Sequence, residues 1–186
     1  MTALLDVLTV GYVGDRVAGT VSLIRSGTAV IIVDPGMVSS RAKILGPLSA
    51  LGVGVNYVTD VVISHHHPDH TVNIALFPAA RVHDFQATYI DDQWIDHDAD
   101  FEVAPSVRLL ATPGHTSQDL TTLVETAGGL MALTHLWWSA EGPADDPFAP
   151  DRALLAASRQ RILDLDPRRI IPGHGPAFLP GASTPI

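Results

Sequence analysis

The sequence predicts a layered α/β domain. Three observations carry that expectation. Short β-branched runs alternate with helical runs in two successive blocks, and 14 prolines and 15 glycines punctuate them. Of the 186 residues, 46% are apolar but only 6% aromatic, so the core must be aliphatic, built from Val, Leu, Ile and Ala. A chain of this length buries one sizeable core. No linker, repeat or low-complexity tract divides it, so residues 1–186 read as a single domain.

Residues 7–13 and 20–25 read as strands, separated by a break at Gly14 and Asp15. Residues 28–33 form a third strand, apolar throughout and therefore buried, after a tight turn at Ser26 and Gly27. Asp34, Pro35 and Gly36 stop it. Residues 39–51 carry helical spacing at Ile44, Leu45, Leu48 and Leu51, closed by Gly52. Residues 60–64 are a short strand. Pro68 fits the first turn of a helix reaching about residue 76. Residues 81–83 read as a brief strand, 84–89 as a short helix and 93–102 as an exposed hairpin or loop. Three more strands are expected at 107–111, 120–126 and 129–133. Residues 141–150 form a Pro/Asp/Gly loop with Phe148 embedded. Asp151 can cap a helix running to about residue 165. Residues 170–171 make a last strand before P-G-H-G at 172–175.

The formal net charge is −9 and no Lys/Arg cluster occurs, which disfavours a nucleic-acid partner. A bound dication could reverse that sign locally. There is no cysteine, which excludes disulfides, thiolate metal sites and cysteine nucleophiles. The N-terminal stretch lacks a basic segment and carries Asp6 among its apolar residues, so no cleaved signal is expected. No run of about 18 apolar residues suggests a membrane span. The expectation is a cytoplasmic protein acting on a small molecule.

Nine histidines are present, and their placement is the main signal. S-H-H-H-P-D-H follows the strand at 60–64 directly. In extended backbone, residues two apart point the same way, so His65 and His67 can grip one ion. The chain then turns, and Asp69 and His70 can face a second. His115 sits in T-P-G-H-T and His174 in P-G-H-G, each in a glycine turn after a strand. One histidine in a turn is more often structural than ligating. Three strand-end loops each carrying histidine beside Gly or Pro point to a shared site, because binding residues concentrate on such loops. Imidazole and carboxylate donors suit Zn²⁺, Fe or Mn²⁺.

The order H-x-H-x-D-H, a later G-H and a near-terminal G-H-G resembles the metallo-β-lactamase superfamily. The segments L-F-P-A-A-R-V-H-D-F, A-T-P-G-H-T and I-I-P-G-H-G-P-A-F resemble, more narrowly, its branch of metallo-β-lactamase domain-containing protein 1-like small hydrolases. The resemblance implies a four-layer αββα sandwich with a site at one edge, between the sheets. It implies that His65, His67 and His115 hold one metal, and that Asp69, His70 and His174 hold a second. It also implies that Asp34, in V-D-P-G, supports the site from behind. His66 and Pro68 fall on variable positions, and His83 and His97 on no ligand position.

One position departs from the pattern. The family carries Gly-Asp where this chain has Thr134 and His135, and that aspartate bridges both metals. A carboxylate has two oxygens and a charge; a neutral imidazole offers one lone pair and none. His135 can therefore ligate one metal only, which predicts an asymmetric centre with one ion weakly held or a hydroxide bridge in compensation. Alternatively His135 points elsewhere and Glu141, Asp145 or Asp146 supplies the acid.

The expected chemistry is metal-assisted hydrolysis with Zn, as one or two ions, or with Fe or Mn. A metal lowers the pKa of its water from 15.7 to about 7. The resulting hydroxide would attack an ester, thioester or related bond, with Asp69 as ligand and orienter of the nucleophile. Trp137, Trp138 and Phe148 are candidates to line a substrate groove; core or lid packing is the alternative. Competing readings are an iron-dependent dioxygenase-like oxidoreductase, a phosphodiesterase or nuclease, and a metal-binding protein that has lost turnover.

Overall fold

The computed structural model describes residues 2–98 and 100–186. Residues 1 and 99, which belong to the N-terminal stretch and to the 93–102 segment, lie outside the described residues. Strands β1 (Leu4–Thr9), β2 (Val21–Ser26) and β3 (Ala29–Val33) open the first sheet. Helix α1 (Ala42–Ala50) follows, then β4 (Asp60–Val62), the single-turn α2 (Pro68–Thr71), and β5 (Arg81–His83), β6 (Ala87–Ile90) and β7 (Gln93–Asp96). These seven strands pair in sequence order. The second sheet runs from β8 (Asp100–Ala104) and β9 (Val107–Ala111) through β10 (Leu120–Thr126) and β11 (Gly129–Thr134). Helix α3 (Arg152–Leu163) then crosses over, so that β12 (Arg169–Pro172) pairs parallel to β11.

The alternation of side chains along each strand builds three apolar layers. Ile24, Ile31, Val33 and Val62 of the first sheet face Leu109, Leu120, Val124 and Leu133 of the second. On the outer face of the first sheet, Val21, Leu23, Ile32 and Val61 pack on Ile44 and Leu48 of α1. On the outer face of the second, Leu110, Leu123 and Ala132 pack on Leu155 and Ile162 of α3. The order is therefore helix, sheet, sheet, helix. Strand β3 is covered on both sides, which explains its unbroken apolar run.

Most of the expected elements stand, with four corrections. The first strand starts and ends earlier, and the chain around Gly14 is a hairpin tip held by a bridge between Tyr12 and Ala18. The helix at 68–76 is cut to one turn. The next helical bond, from Asn73 N–H to Asp69 O, cannot form, because Gly19 N–H takes the Asp69 carbonyl and Asn73 N–H donates to Pro35 O at 2.8 Å. Residues 84–89 are not helical. Asp84 Oδ1 accepts from Gln86 and Ala87 N–H, a side-chain-made turn that launches β6. The 93–102 segment divides between β7 and β8 of the two sheets. Asp151 does cap α3, accepting from Ala153 and Leu154 N–H.

Candidate metal centre

The histidine-bearing loops leave β4, β9, β11 and β12 at one edge of the two sheets. Asp34, just past β3, holds an uncommon backbone with φ +53°. Its Oδ1 accepts from Ser64 N–H at 2.7 Å, and its Oδ2 lies 2.9 Å from His70 Nδ1. One side chain thus fixes the start of the His-rich loop and the rotation of the ring that ends it. Two residues on, Gly36 lies so close to the Asp69 carbonyl that a Cβ would sit 1.6 Å from its oxygen. Only glycine permits that approach.

The T-P-G-H-T turn is held by Asp119, which accepts from Thr116 N–H and Oγ1. Gly114 lets the turn pack on Leu136 and Leu155. At the end of β12, Gly173 leaves room for the His135 ring, since a Cβ there would lie 2.1 Å from His135 Cδ2. The His174 main-chain N–H donates to Trp138 O.

These loops bring seven predicted residues together. His65 Nε2 lies 3.0 Å from His67 Nδ1, which lies 3.2 Å from His115 Nε2. Asp69 Oδ2 lies 3.3 Å from His70 Nε2 and 3.6 Å from His174 Nε2. His135 Nε2 is 3.2 Å from His174 Nε2. Three triads place one donor atom each within 4.8 Å of the others: His65, His67 and His115; His65, His70 and His135; and Asp69, His70 and His174.

Metal–ligand bonds of about 2.1 Å at tetrahedral angles set neighbouring donors about 3.4 Å apart, and the separations above bracket that value. Among the described residues His70 Nε2 is buried with no well-formed hydrogen bond, its near neighbour being the Asp69 carboxylate at 3.3 Å, an arrangement that leaves it available as a ligand. Four rings also have their outer nitrogen held. His65 Nδ1 meets Ser64 Oγ at 3.1 Å, His70 Nδ1 meets Asp34, His115 Nδ1 meets Asp146 Oδ2 at 2.7 Å, and His174 Nδ1 donates to Ala18 O at 2.9 Å. Such partners fix ring orientation and tautomer in metal sites. The residues fit a divalent metal.

Burial, then the neighbouring imidazoles, pushes His65 and His135 well below the usual histidine range, and burial lowers His67 and His174 too. These rings are neutral at pH 7, with lone pairs free to ligate. His70 is the exception. Burial would lower it, but Asp34 and Asp69 outweigh burial and raise it to about 9. Burial likewise opposes ionisation of Asp69, but His70 holds it at about 2. Burial raises Asp119 to about 6 against its Thr116 hydrogen bonds.

The groove residues separate. Trp137 is fully buried under α3, with its Nε1 donating to Pro185 O, so the expectation that it lines a groove is wrong. Neighbouring side chains point oppositely, and Trp138 turns to the histidines, its ring 5.8 Å from that of His115. Phe148 is 61% exposed, with its ring 5.4 Å from His115 and 5.9 Å from His67 and from Trp138. Of the acids considered in place of the missing aspartate, Glu141 bonds Ser139 and Asp145 pairs with Arg152, both at the surface. Asp146 is buried, but it sits behind His115 and accepts from Trp138 Nε1 and Phe148 N–H. His135 does point into the cluster. His66 turns outward to Asp84, His83 binds Asp60, and His97 packs on Phe101.

Sequence reasoning missed Asp119, although its spacing from Thr116 signals a side-chain turn. It also missed Ser64 and Gly173, whose roles depend on partners distant in the chain.

Comparison with known proteins agrees with this geometry. Residues 14–84 match the family described as the metallo-beta-lactamase superfamily. The chain is 32% identical over 169 residues to metallo-beta-lactamase domain-containing protein 1 of Xenopus laevis, covering 86% of this chain and 72% of that protein. It is 34% identical over 158 residues to the Homo sapiens protein of that description, covering 80% of this chain but 59% of the human one. Among solved structures, it is similar to an N-acyl homoserine lactone hydrolase with N-hexanoyl-L-homoserine product bound at its catalytic metal centre. That likeness has a TM-score of 0.70 and 18% identity, covering 93% of this chain and 92% of the other. With its four layers, its histidine loops at one sheet edge and relatives matched across most of its length, the chain belongs to the metallo-β-lactamase superfamily.

Proposed function

We propose that this protein is a metal-dependent hydrolase of a small-molecule ester, thioester or related bond, with Zn²⁺ as its metal and Fe or Mn as alternatives. The observation that carries the reading is the pair of outer donor triads, each ring of which except His67 has its outer nitrogen held. His65, His67 and His115 would hold one ion; Asp69, His70 and His174 would hold another. A bound metal supplies a Lewis acid and an acidified water.

The chain's own residues do the rest. His65, His115 and His174 present ring nitrogens held in place by Ser64, Asp146 and Ala18. Asp69, ionised throughout the neutral range, is a poor proton acceptor and serves as ligand and orienter. Phe148 and Trp138 give the opening an apolar wall, favouring a substrate with an apolar arm. The lactone hydrolyses performed by a structural neighbour are ester cleavages, which supports placing esters first. The net charge of −9 argues against long nucleic acids.

Zinc-reconstituted protein should turn over a generic aryl ester or thioester, and His67→Ala should lower that rate by at least about 100-fold without changing the fold by circular dichroism. Full rate in the variant refutes the ligand assignment. Oxygen consumption with iron instead would identify an oxidoreductase, phosphodiester cleavage a nuclease-type enzyme, and zinc binding with no turnover a protein that has lost its reaction. The exchange of a bridging carboxylate for His135 is the feature that favours this last reading.

A further inference from the structure

We propose that the centre is unequal by construction: Asp69, His70 and His174 hold one ion tightly, and His65, His67 and His115 hold a second far more weakly. This rests on the reading of the cluster as a metal centre.

The three donor triads overlap. His65 and His70, which the middle triad shares with the outer two, each turn one nitrogen inward, and a neutral imidazole nitrogen offers one lone pair. An ion between His65, His70 and His135 would therefore take one ligand from each outer triad. The two arrangements exclude one another. The supporting contacts choose between them. His65, His70, His115 and His174 each have a partner on the nitrogen turned away from the cluster. His135 Nδ1 is buried and has no hydrogen-bond partner among the described residues. The ring is wedged against Gly173 and its Nε2 meets the His174 ring, but no carboxylate, hydroxyl or carbonyl sets its tautomer, which makes it a weaker ligand than the four held rings. The outer triads are the built sites, and His135 fills the space between them.

That filling determines the asymmetry. A carboxylate at this position would neutralise both ions and join them. His135 brings no charge and cannot join them. The remaining negative groups are distributed unevenly. Asp69 is itself a donor in one triad, and Asp34 stands behind His70 in that same triad at 2.9 Å. The other triad contains only imidazoles and no carboxylate, with Asp146 behind His115. The first dication goes where two carboxylates attract it. The second then enters a triad with no ionised donor, beside an existing charge. This weaker triad is the one next to Phe148, so turnover should depend on free zinc far above the level that saturates the first site.

The test is zinc affinity, read without any assay of activity. Metal-free protein, prepared with a chelator, is titrated with zinc against a chromophoric competitor, and bound zinc is counted by elemental analysis. The wild type should bind one equivalent at least about 100-fold more tightly than the second, and His135→Asp should bring the two within about tenfold. Because His135→Asp could disturb folding, two further variants locate the ions. Asp69→Asn should weaken the tight equivalent by at least tenfold, while His67→Ala should remove the weak one and leave the tight one. Two equally tight equivalents in the wild type overturn the proposal, as does loss of the tight ion in His67→Ala. A folded wild-type chain that takes up no zinc would instead overturn the metal-centre reading itself.

Discussion

Asp146 touches three groups at once: His115 Nδ1 at 2.7 Å, Trp138 Nε1 at 2.9 Å and Phe148 N–H at 2.9 Å. Burial disfavours its charge, but these contacts, led by His115, hold its pKa below the ordinary value. It therefore links the ring of a proposed ligand to the aromatic wall beside it. Replacing it with Asn keeps an acceptor for His115 but removes the charge that makes the ring a stronger donor. Asp146→Asn should weaken the second zinc equivalent by about 10-fold, leave the first unchanged, and alter Trp138 fluorescence, since the indole partner changes too. An unchanged second affinity in a folded variant would show that the carboxylate only holds the loop. At this scale the proposed ligands are legible because they gather on loops at strand ends, with His67, Asp69, His115 and His174 beside Gly or Pro. The role of Asp146 is not, since its partner lies 31 residues away and no local pattern encodes that meeting.

The elements that carry the site are locked by backbone contacts rather than by long helices. The turn after β3 and the single-turn α2 meet at Gly36, whose missing Cβ is the space occupied by the Asp69 carbonyl. Neither backbone can retreat easily: Asp34 grips Ser64 N–H on one side, and the Asn73 side chain donates to Gly36 O at 2.7 Å on the other. Gly36→Ala should cost at least about 3 kcal/mol in urea denaturation, within the range of severe single substitutions, and should lower zinc affinity because Asp69 moves. A loss below 1 kcal/mol would mean that the loop yields easily. The same contacts explain what the sequence concealed. The periodicity at 68–76 is helical, yet tertiary partners take the Asp69 carbonyl and the Asn73 N–H. The Asp84 turn was hidden for a related reason, because its side chain substitutes for main-chain bonds. By contrast, α3 and the inner strands β3, β9, β10 and β11 follow local pattern closely, since burial of alternate or helically spaced apolar residues dominates there.

Across the whole molecule, the buried histidines give the metal-free protein a pH response that the loaded protein should lack. Four rings, His65, His67, His135 and His174, have depressed pKa values, so they stay neutral in the fold and protonate more readily when unfolded. Their cost appears as pH falls below 6.5 and vanishes above it. His70 is opposite: raised to about 9, it contributes stability in full below 6.5 and loses it as pH rises through about 9. The acids do not blur that upper window. Asp69, held at about 2, contributes above 3.8 and loses that only as pH falls toward 2. Asp119, raised to about 6, loses its contribution between 3.8 and about 6 and is constant above. Tyr89, pushed up to about 12, matters only above 10. Between pH 6.5 and 9, therefore, His70 dominates the group, and chelator-treated protein should lose up to about 3 kcal/mol of unfolding free energy there. Zinc removes the effect, because a ligating His70 gives up its inward proton: loading at pH 7 should release about one proton per tight equivalent into a weakly buffered solution, and flatten the stability curve over the same window. Urea melts at pH 6.5 and 9, with and without zinc, decide the matter. Equal slopes with pH in the two forms would mean that the metal and the His70 proton facing Asp69 do not compete for Nε2.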